Sequence, residues 1–332
     1  MNKRHAKALG LFSLKLAGTV IFLWWALSQI GDKQLLVENF QLAMRSPYWV
    51  VAGIGLALGS LLANALRWFF LLRAQAIHEP FLYIFRLTLY GAFFNIASLG
   101  GAAGDAAKIV LLCRRVPDKK VGVAMSVMVD HTVGFVSSGI IFLIFTWGFG
   151  VMEQLGDVAG RGAFVAATWL YVGGIVGILL SIFSCSPAML GWGRRCFPTI
   201  TNNRWVDIIT SVLDLYRTGW KYAFFALLAS FALSASFYLT FFASLRALDQ
   251  PVGATTVLSI MPIVDAITAL PISISGLGVR ERAFDFLIGK VTGIPTAAAV
   301  TASLIGFLFT LFWGLIGGLA IITSRHSGKV SS

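Results

Sequence analysis

Charge is scarce in this sequence. Asp, Glu, Lys and Arg make up 12% of its 332 residues, about half the share of an ordinary soluble domain. With 58% hydrophobic residues and a mean hydropathy of +0.83, water cannot be the main solvent. Cysteine is scarcer still: Cys113, Cys185 and Cys196 are too few and too irregularly spaced for a disulfide framework or a metal cluster, and read as free thiols. Four scattered histidines, His5, His78, His131 and His326, show neither HExxH nor paired ligand spacing, which argues against a zinc or di-metal enzyme. A Walker A pattern is missing, so ATP hydrolysis by a P-loop route is excluded. No cofactor is expected. Acidic residues are outnumbered 14 to 26, a net charge of +12. The basic residues nevertheless lie in short loops between apolar runs, not on the polar face that a nucleic-acid binder needs. Nucleic acid is therefore not an expected partner.

What the chain has is long apolar runs. A spanning helix needs about 20 mostly apolar residues, and six runs qualify: Leu9–Ile30, Tyr48–Leu72, Val121–Gly150, Ala163–Cys185, Tyr222–Leu245 and Ala297–Thr323. The first follows Lys3, Arg4 and Lys7, is longer than a signal-peptide core and lacks a small-x-small cleavage site, so it is expected to be retained. Two further stretches, Phe81–Leu112 and Val252–Gly289, are interrupted halfway by glycines and charges. Their breaks run from Ser98 through Gly100, Gly101 and Gly104 to Asp105, and from Pro271 through Gly276 and Gly278 to Glu281. Backbone freed from helix bonding cannot face lipid, so such breaks mark an interior.

Loop charge predicts the topology. Arg114, Arg115, Lys119 and Lys120, then Arg194, Arg195 and Arg204, then Arg325 and Lys329 are expected on the cytoplasmic side together with the N-terminus. Neutral or acidic loops around Asp32 and Glu153 are expected outside. The expected fold is all-α and polytopic, a single transmembrane domain over 1–332. It has six full spans plus two broken re-entrant hairpins dipping from opposite faces, as a pseudo-inverted repeat. The first half, 1–150, holds hairpin 81–112, and the second, 151–332, holds hairpin 252–289. An eight-span alternative exports one basic loop. Residues 203–221 place Trp205, Ile208, Ile209, Val212 and Leu215 opposite Asp207, Ser211 and Asp214, which reads as an interfacial amphipathic helix or an ordinary connecting helix. The expected location is the inner (cytoplasmic) membrane, with both termini cytoplasmic.

Buried charge points to the chemistry. A charged group at the centre of a span costs about 2.5 to 3.5 kcal/mol and asks for a partner or a purpose. Asp130 lies about 15 Å along its helix, near the midplane beside His131, as either a functional group or half of a structural ion pair. Asp105 and Lys108 follow the first break, and Arg280 and Glu281 the second, each opening a half-helix. Two helix starts meeting at mid-membrane could cradle a phosphate, as paired broken segments do in transporters. The alternative is local pairing, Asp105 with Lys108 and Glu281 with an arginine. Asp265 is expected to pair with Arg280 or Arg282, and Asn64 to hydrogen-bond across helices. Arg67 and Lys15 read as snorkelling side chains.

The run Ser275-Gly-Leu-Gly-Val-Arg-Glu-Arg-Ala-Phe, followed by Gly293-Ile-Pro, resembles the GGLGVRE motif of the lysylphosphatidylglycerol synthase transmembrane-region, or flippase-like, family. That family includes the lipid-translocating half of the multiple peptide resistance factor. Gly104-Asp105-x-x-Lys108 is similar to the family's GExxR, and Asp130-His131-x-x-Gly134 to its DRxxG. The resemblance covers essentially the whole chain. The departures are chemical: Lys108 lacks the bidentate fork of Arg, Asp105 is a methylene shorter than Glu, His131 can be neutral where Arg cannot, and Gly306 stands where many relatives carry Arg.

The resemblance implies translocation of a lipid or lipid-linked headgroup, anionic in character. Asp105, Lys108, Asp130, His131, Arg280 and Glu281 are expected to bind it, with Gly100, Gly101, Gly104, Gly276 and Gly278 shaping the breaks. A membrane lipid is the expected partner as substrate. An enzyme is not expected: a synthase of the family carries a further cytoplasmic catalytic domain, and this chain ends soon after its last span. A glycosyl transferase would need a large polar loop with catalytic carboxylates. The remaining alternative is a non-transporting subunit that partners a lipid-synthesising or lipid-modifying enzyme.

Overall fold

The structure, a computed structural model, describes residues 34–97, 102–155, 158–185, 204–270 and 273–327, with a few isolated positions elsewhere. The expected span Leu9–Ile30, with Lys15, and the break residues Gly100, Gly101 and Pro271 lie outside the described residues, as do Cys196 and Lys329. Among the described residues every regular element is helical. In chain order these are α1 (Gln34–Met44), α2 (Pro47–Ala74), α3 (Phe81–Ala97), α4 (Ala102–Arg115), α5 (Lys120–Leu143), α6 (Val158–Ser184), α7 (Arg204–Thr218), α8 (Trp220–Ala247), α9 (Ala254–Thr268), α10 (Val279–Thr292) and α11 (Thr296–Ser327).

Five helices are long and apolar enough to cross a membrane: Pro47–Ala74, Pro117–Gly148, Val158–Ser184, Trp220–Ala247 and Thr296–Thr323. They correspond to the five expected spans inside the described residues. Local sequence explains their ends. Pro47 opens α2, where a helix start has no use for the missing N–H. Gly293, at φ +70°, closes α10 in the left-handed conformation that a side chain resists, and Pro295 precedes α11.

The frame is the pair α2 and α8, which lie antiparallel along their whole length. Trp49 meets Phe242, Gly59 faces Ser236, Arg67 reaches Ser230 and Phe70 stacks on Phe225, so numbers rise on one helix as they fall on the other. Each of these helices is followed by a broken hairpin and then a long helix: α2, α3–α4, α5 in one half, and α8, α9–α10, α11 in the other. Because α2 and α8 run in opposite directions, the two units are inverted.

Both apolar stretches expected to break do so. The first hairpin packs Ile84, Leu87 and Leu112 with Trp68 and Leu72 of α2 and Val123 of α5, at the end of the bundle where α2 finishes and α5 starts. The second packs Val257, Ile260, Phe284 and Leu287 with Ala57, Phe142 and Leu245, toward the end where α5 and α8 finish. The hairpins therefore enter from opposite ends. Their tips meet: the Ser275 hydroxyl donates to the backbone carbonyl of Asn95 at 3.0 Å. Ser275 has a left-handed φ of +53°, a conformation that costs a non-glycine residue. Arg280 holds it there by donating to its carbonyl at 2.6 Å.

Close backbone approach binds the hairpins to their neighbours. A Cβ on Gly317 of α11 would lie 2.2 Å from the Leu89 carbonyl of α3, and one on Gly104 of α4 2.3 Å from the Gly91 carbonyl. Small residues let helices touch in the absence of a hydrophobic driving force between them. Helix α7 is present over the expected amphipathic stretch, and Tyr216 fastens it to the end of α2 by donating to the Leu71 carbonyl at 3.4 Å. Burial pushes that phenol up to about 12, so it stays a neutral donor.

Candidate functional site

The first half brings four of the expected residues together. Asp105, in the first turn of α4, accepts from Lys108 one turn on at 2.7 Å through one oxygen. Its other oxygen meets Nε2 of His131 at 2.8 Å. Lys108 is buried, its ammonium 5.1 Å from the centre of the Trp68 ring, and the Trp68 indole is fixed by donation to Ser126 at 3.1 Å. Asp130, the neighbour of His131 on α5, is buried against α2.

The partner of Asp130 is Arg67, and here the structure corrects the sequence reading. Arg67 does not snorkel. It is buried and clamps Asp130 through two parallel bonds, Nε to Oδ1 at 2.6 Å and Nη2 to Oδ2 at 2.7 Å, while Nη1 donates to Ser230 at 3.1 Å. This fork is the strong, geometrically specific form of an ion pair. Gly134, one turn beyond Asp130, makes room for it: a Cβ there would stand 2.9 Å from an Arg67 nitrogen. Serines continue the polar seam, with Ser137 2.8 Å from Ser230 and Ser138 2.6 Å from the Tyr238 hydroxyl.

Two cavities flank this cluster. The inner one, about 200 Å³, is walled by Arg67, Lys108 and His131, by the carboxylates Asp105 and Asp130, and by Asn64 and Asn95. The Asn64 side-chain oxygen, expected to bond across helices, is buried there without a protein partner. The outer one, about 320 Å³, lies among α5, α6, α8 and α9, where Tyr171, Tyr238 and Asp265 face Arg67 and His131. Arg67 and His131 belong to both walls, so the cavities adjoin through them. Tyr238 donates to Asp265 at 3.4 Å, and Tyr171 to the carbonyl of Pro262 at 2.7 Å.

Arg280 and Glu281 line neither cavity. Arg280 lies over the Phe307 ring at 5.0 Å while gripping the Ser275 carbonyl. Glu281 is fully buried and turns back to accept from the Gly278 N–H, with Ser303 donating to its other oxygen at 3.4 Å. Asn95 does the same for α4, its side-chain oxygen accepting from the Gly104 N–H at 2.8 Å. Each half-helix start thus has a side-chain oxygen on one of its N–H groups. Positive charge facing the inner cavity comes from Arg67 and Lys108, with the titratable imidazole of His131 beside them. Of the break glycines, Gly276 and Gly278 have φ of +75° and +81°, and Gly104 serves close helix approach.

Three contributors escaped the sequence reading: Arg67 as the mate of Asp130, Asn95 as both helix cap and tip contact, and the tyrosine pair of the outer cavity. For Arg67 a signal existed. It lies seven residues before the end of α2, and Asp130 ten residues after the start of α5, at the same end of the bundle. At about 1.5 Å per residue the two are level within about 5 Å.

No curated protein matches the chain. A model of the lysylphosphatidylglycerol synthase TM region matches residues 11–318. That span takes in both hairpins and every residue of the charged cluster, and the chain belongs to this family of multi-pass membrane proteins.

Proposed function

We propose that the chain moves a lipid headgroup, anionic at its phosphate, across the cytoplasmic membrane while the tails stay in lipid. The observation that carries this reading is the inner cavity: three cationic or protonatable side chains and two carboxylates, set between the first hairpin and the helices α2 and α5. An isolated charge at this depth is costly, and clustered ionisable groups beside an internal cavity mark substrate paths. Lys108 and Arg67 offer charged N–H donors to a phosphate, in competition with Asp105 and Asp130, and the unpaired oxygen of Asn64 offers an acceptor to headgroup hydroxyls. The contact between Ser275 and Asn95 closes the route between the tips, and its separation opens it. Both termini lie on the cytoplasmic side in this reading, and no covalent step is involved.

Fluorescent phosphatidylglycerol in vesicles holding the purified chain tests the proposal, with leaflet location read by a membrane-impermeant quencher. Translocation well above the protein-free rate is expected, with loss of about tenfold or more in Lys108→Met, the scale of one charged hydrogen bond. A rate equal to that of protein-free vesicles contradicts the reading for this lipid class. A second reading, a non-transporting partner of a lipid-modifying enzyme, draws on the Arg67–Asp130 fork, which as a buried ion pair could serve helix packing alone.

A further inference from the structure

The charge of the inner cluster is conditional. Arg67 balances Asp130, and Lys108 balances Asp105, each pair in direct contact. His131 is the fifth member, and its side chain is 68% exposed where the two cavities adjoin. With His131 neutral the cluster sums to zero, and with His131 protonated to one positive charge, the complement of a phosphodiester.

We propose that His131 is a proton-binding site coupled to the anionic ligand, taking a proton as a phosphodiester headgroup enters the inner cavity, so that the two cross together. This rests on the anion-binding reading above and adds the coupling ion and the driving force. Asp105, held as a carboxylate by Lys108, accepts from Nε2–H of the neutral imidazole. Nδ1 is then the free basic nitrogen, and it takes the proton. On leaving, the headgroup takes its negative charge with it and leaves the cluster at one positive charge, Nδ1 releases its proton to water in the open cavity, and the neutral tautomer returns. A monoanionic headgroup and one proton together carry no net charge. A pH gradient therefore drives the movement and the membrane potential does not.

Every ionisable group around His131 fits this account. Asp105 and Lys108 face it from α4, Arg67 from α2, and Asp130 precedes it on α5. From the outer cavity come Asp265 of α9 and the phenols Tyr171 and Tyr238. Asp265 accepts from the Tyr238 phenol, and the Tyr171 phenol donates to the Pro262 carbonyl. His131 is the group of this set whose ordinary titration falls between about pH 5 and 8.

Binding and movement can be measured separately. The full chain in detergent is titrated with short-chain phosphatidylglycerol at a series of pH values, and movement is followed in vesicles. The linkage has a definite sign: protonation favours anion binding, so affinity is full at low pH and falls about tenfold in all as pH rises through the imidazole titration, then levels off. His131→Arg is expected to bind tightly with no such slope. His131→Gln is expected to bind about tenfold more weakly at low pH, also without slope. Both replacements keep an N–H donor for Asp105, and the wild-type slope is itself a readout. A wild-type affinity independent of pH, a slope that persists in His131→Gln, or no binding at any pH overturns the inference. If vesicles still move the lipid while affinity is flat, translocation stands and proton coupling falls. If affinity follows pH but no lipid moves, the proton-linked site stands and translocation falls.

Discussion

Asp130 and Arg67 carry the largest stake of any single residue pair. Both are buried, with side chains 3% and 9% exposed, and the fork between them is complete. Removing one partner of such a pair costs about 3 to 5 kcal/mol, because the other is left charged and unpaired. Asp130→Asn is therefore expected to lower abundance and melting temperature, measured in detergent on purified protein. Arg67→Met combined with Asp130→Leu is expected to recover most of that stability, since apolar replacement of both partners removes the desolvation penalty. If the double variant also moves lipid at the wild-type rate, the pair serves packing alone. The residues of this cluster were partly legible in the sequence. Asp105, Lys108, Asp130 and His131 stand out because charge is rare there, whereas Arg67 sits near enough to its helix end to pass for a side chain reaching the headgroups. Arg280 and Glu281 stand out equally and are placed elsewhere, because a motif shows where a break lies and not which way its side chains turn.

The hairpins hold their position through backbone contact, and this is where elements are most sensitive. Gly317 of α11 lies against the Leu89 carbonyl of α3, and a Cβ would need to occupy space only 2.2 Å from it. Backbone cannot rotate away as a side chain can. Gly317→Ala is expected to push α3 from α11 and cost about 1 to 3 kcal/mol, read as a lower melting temperature, while Gly55→Ala, with open space around its Cβ, leaves it within error. Equal effects at the two positions would contradict the packing account. That the two apolar stretches break was legible, since glycine runs followed by acidic residues suit no continuous span. That their half-helices carry caps was not, because Asn95 caps a helix that starts beyond the break and Glu281 reads first as a charge in need of a partner.

Across the whole molecule, two inverted units share a frame but not their chemistry. In the first, Arg67 of α2 crosses to Asp130 and Gly134 of α5. In the second, Phe241 of α8 packs on Gly306 of α11, with a Cβ there only 2.8 Å from the ring. The first unit therefore supplies the Arg67–Asp130 fork, the second places a phenylalanine against a glycine at the matching helix pair, and the two are joined where the tips touch at Ser275 and Asn95. The order of the long helices was legible from the apolar runs, since a span needs about 20 mostly apolar residues. The meeting of the tips was not, since it depends on how α2 and α8 pack side by side. The most direct test of the passage between these tips is lipid movement in a variant joining Asn95→Cys to Ser275→Cys, with the native cysteines replaced. Translocation is expected to stop when the pair is oxidised or bridged by a short cross-linker and, for the disulfide, to return on reduction. Undiminished translocation with the cross-link fully formed would contradict the account.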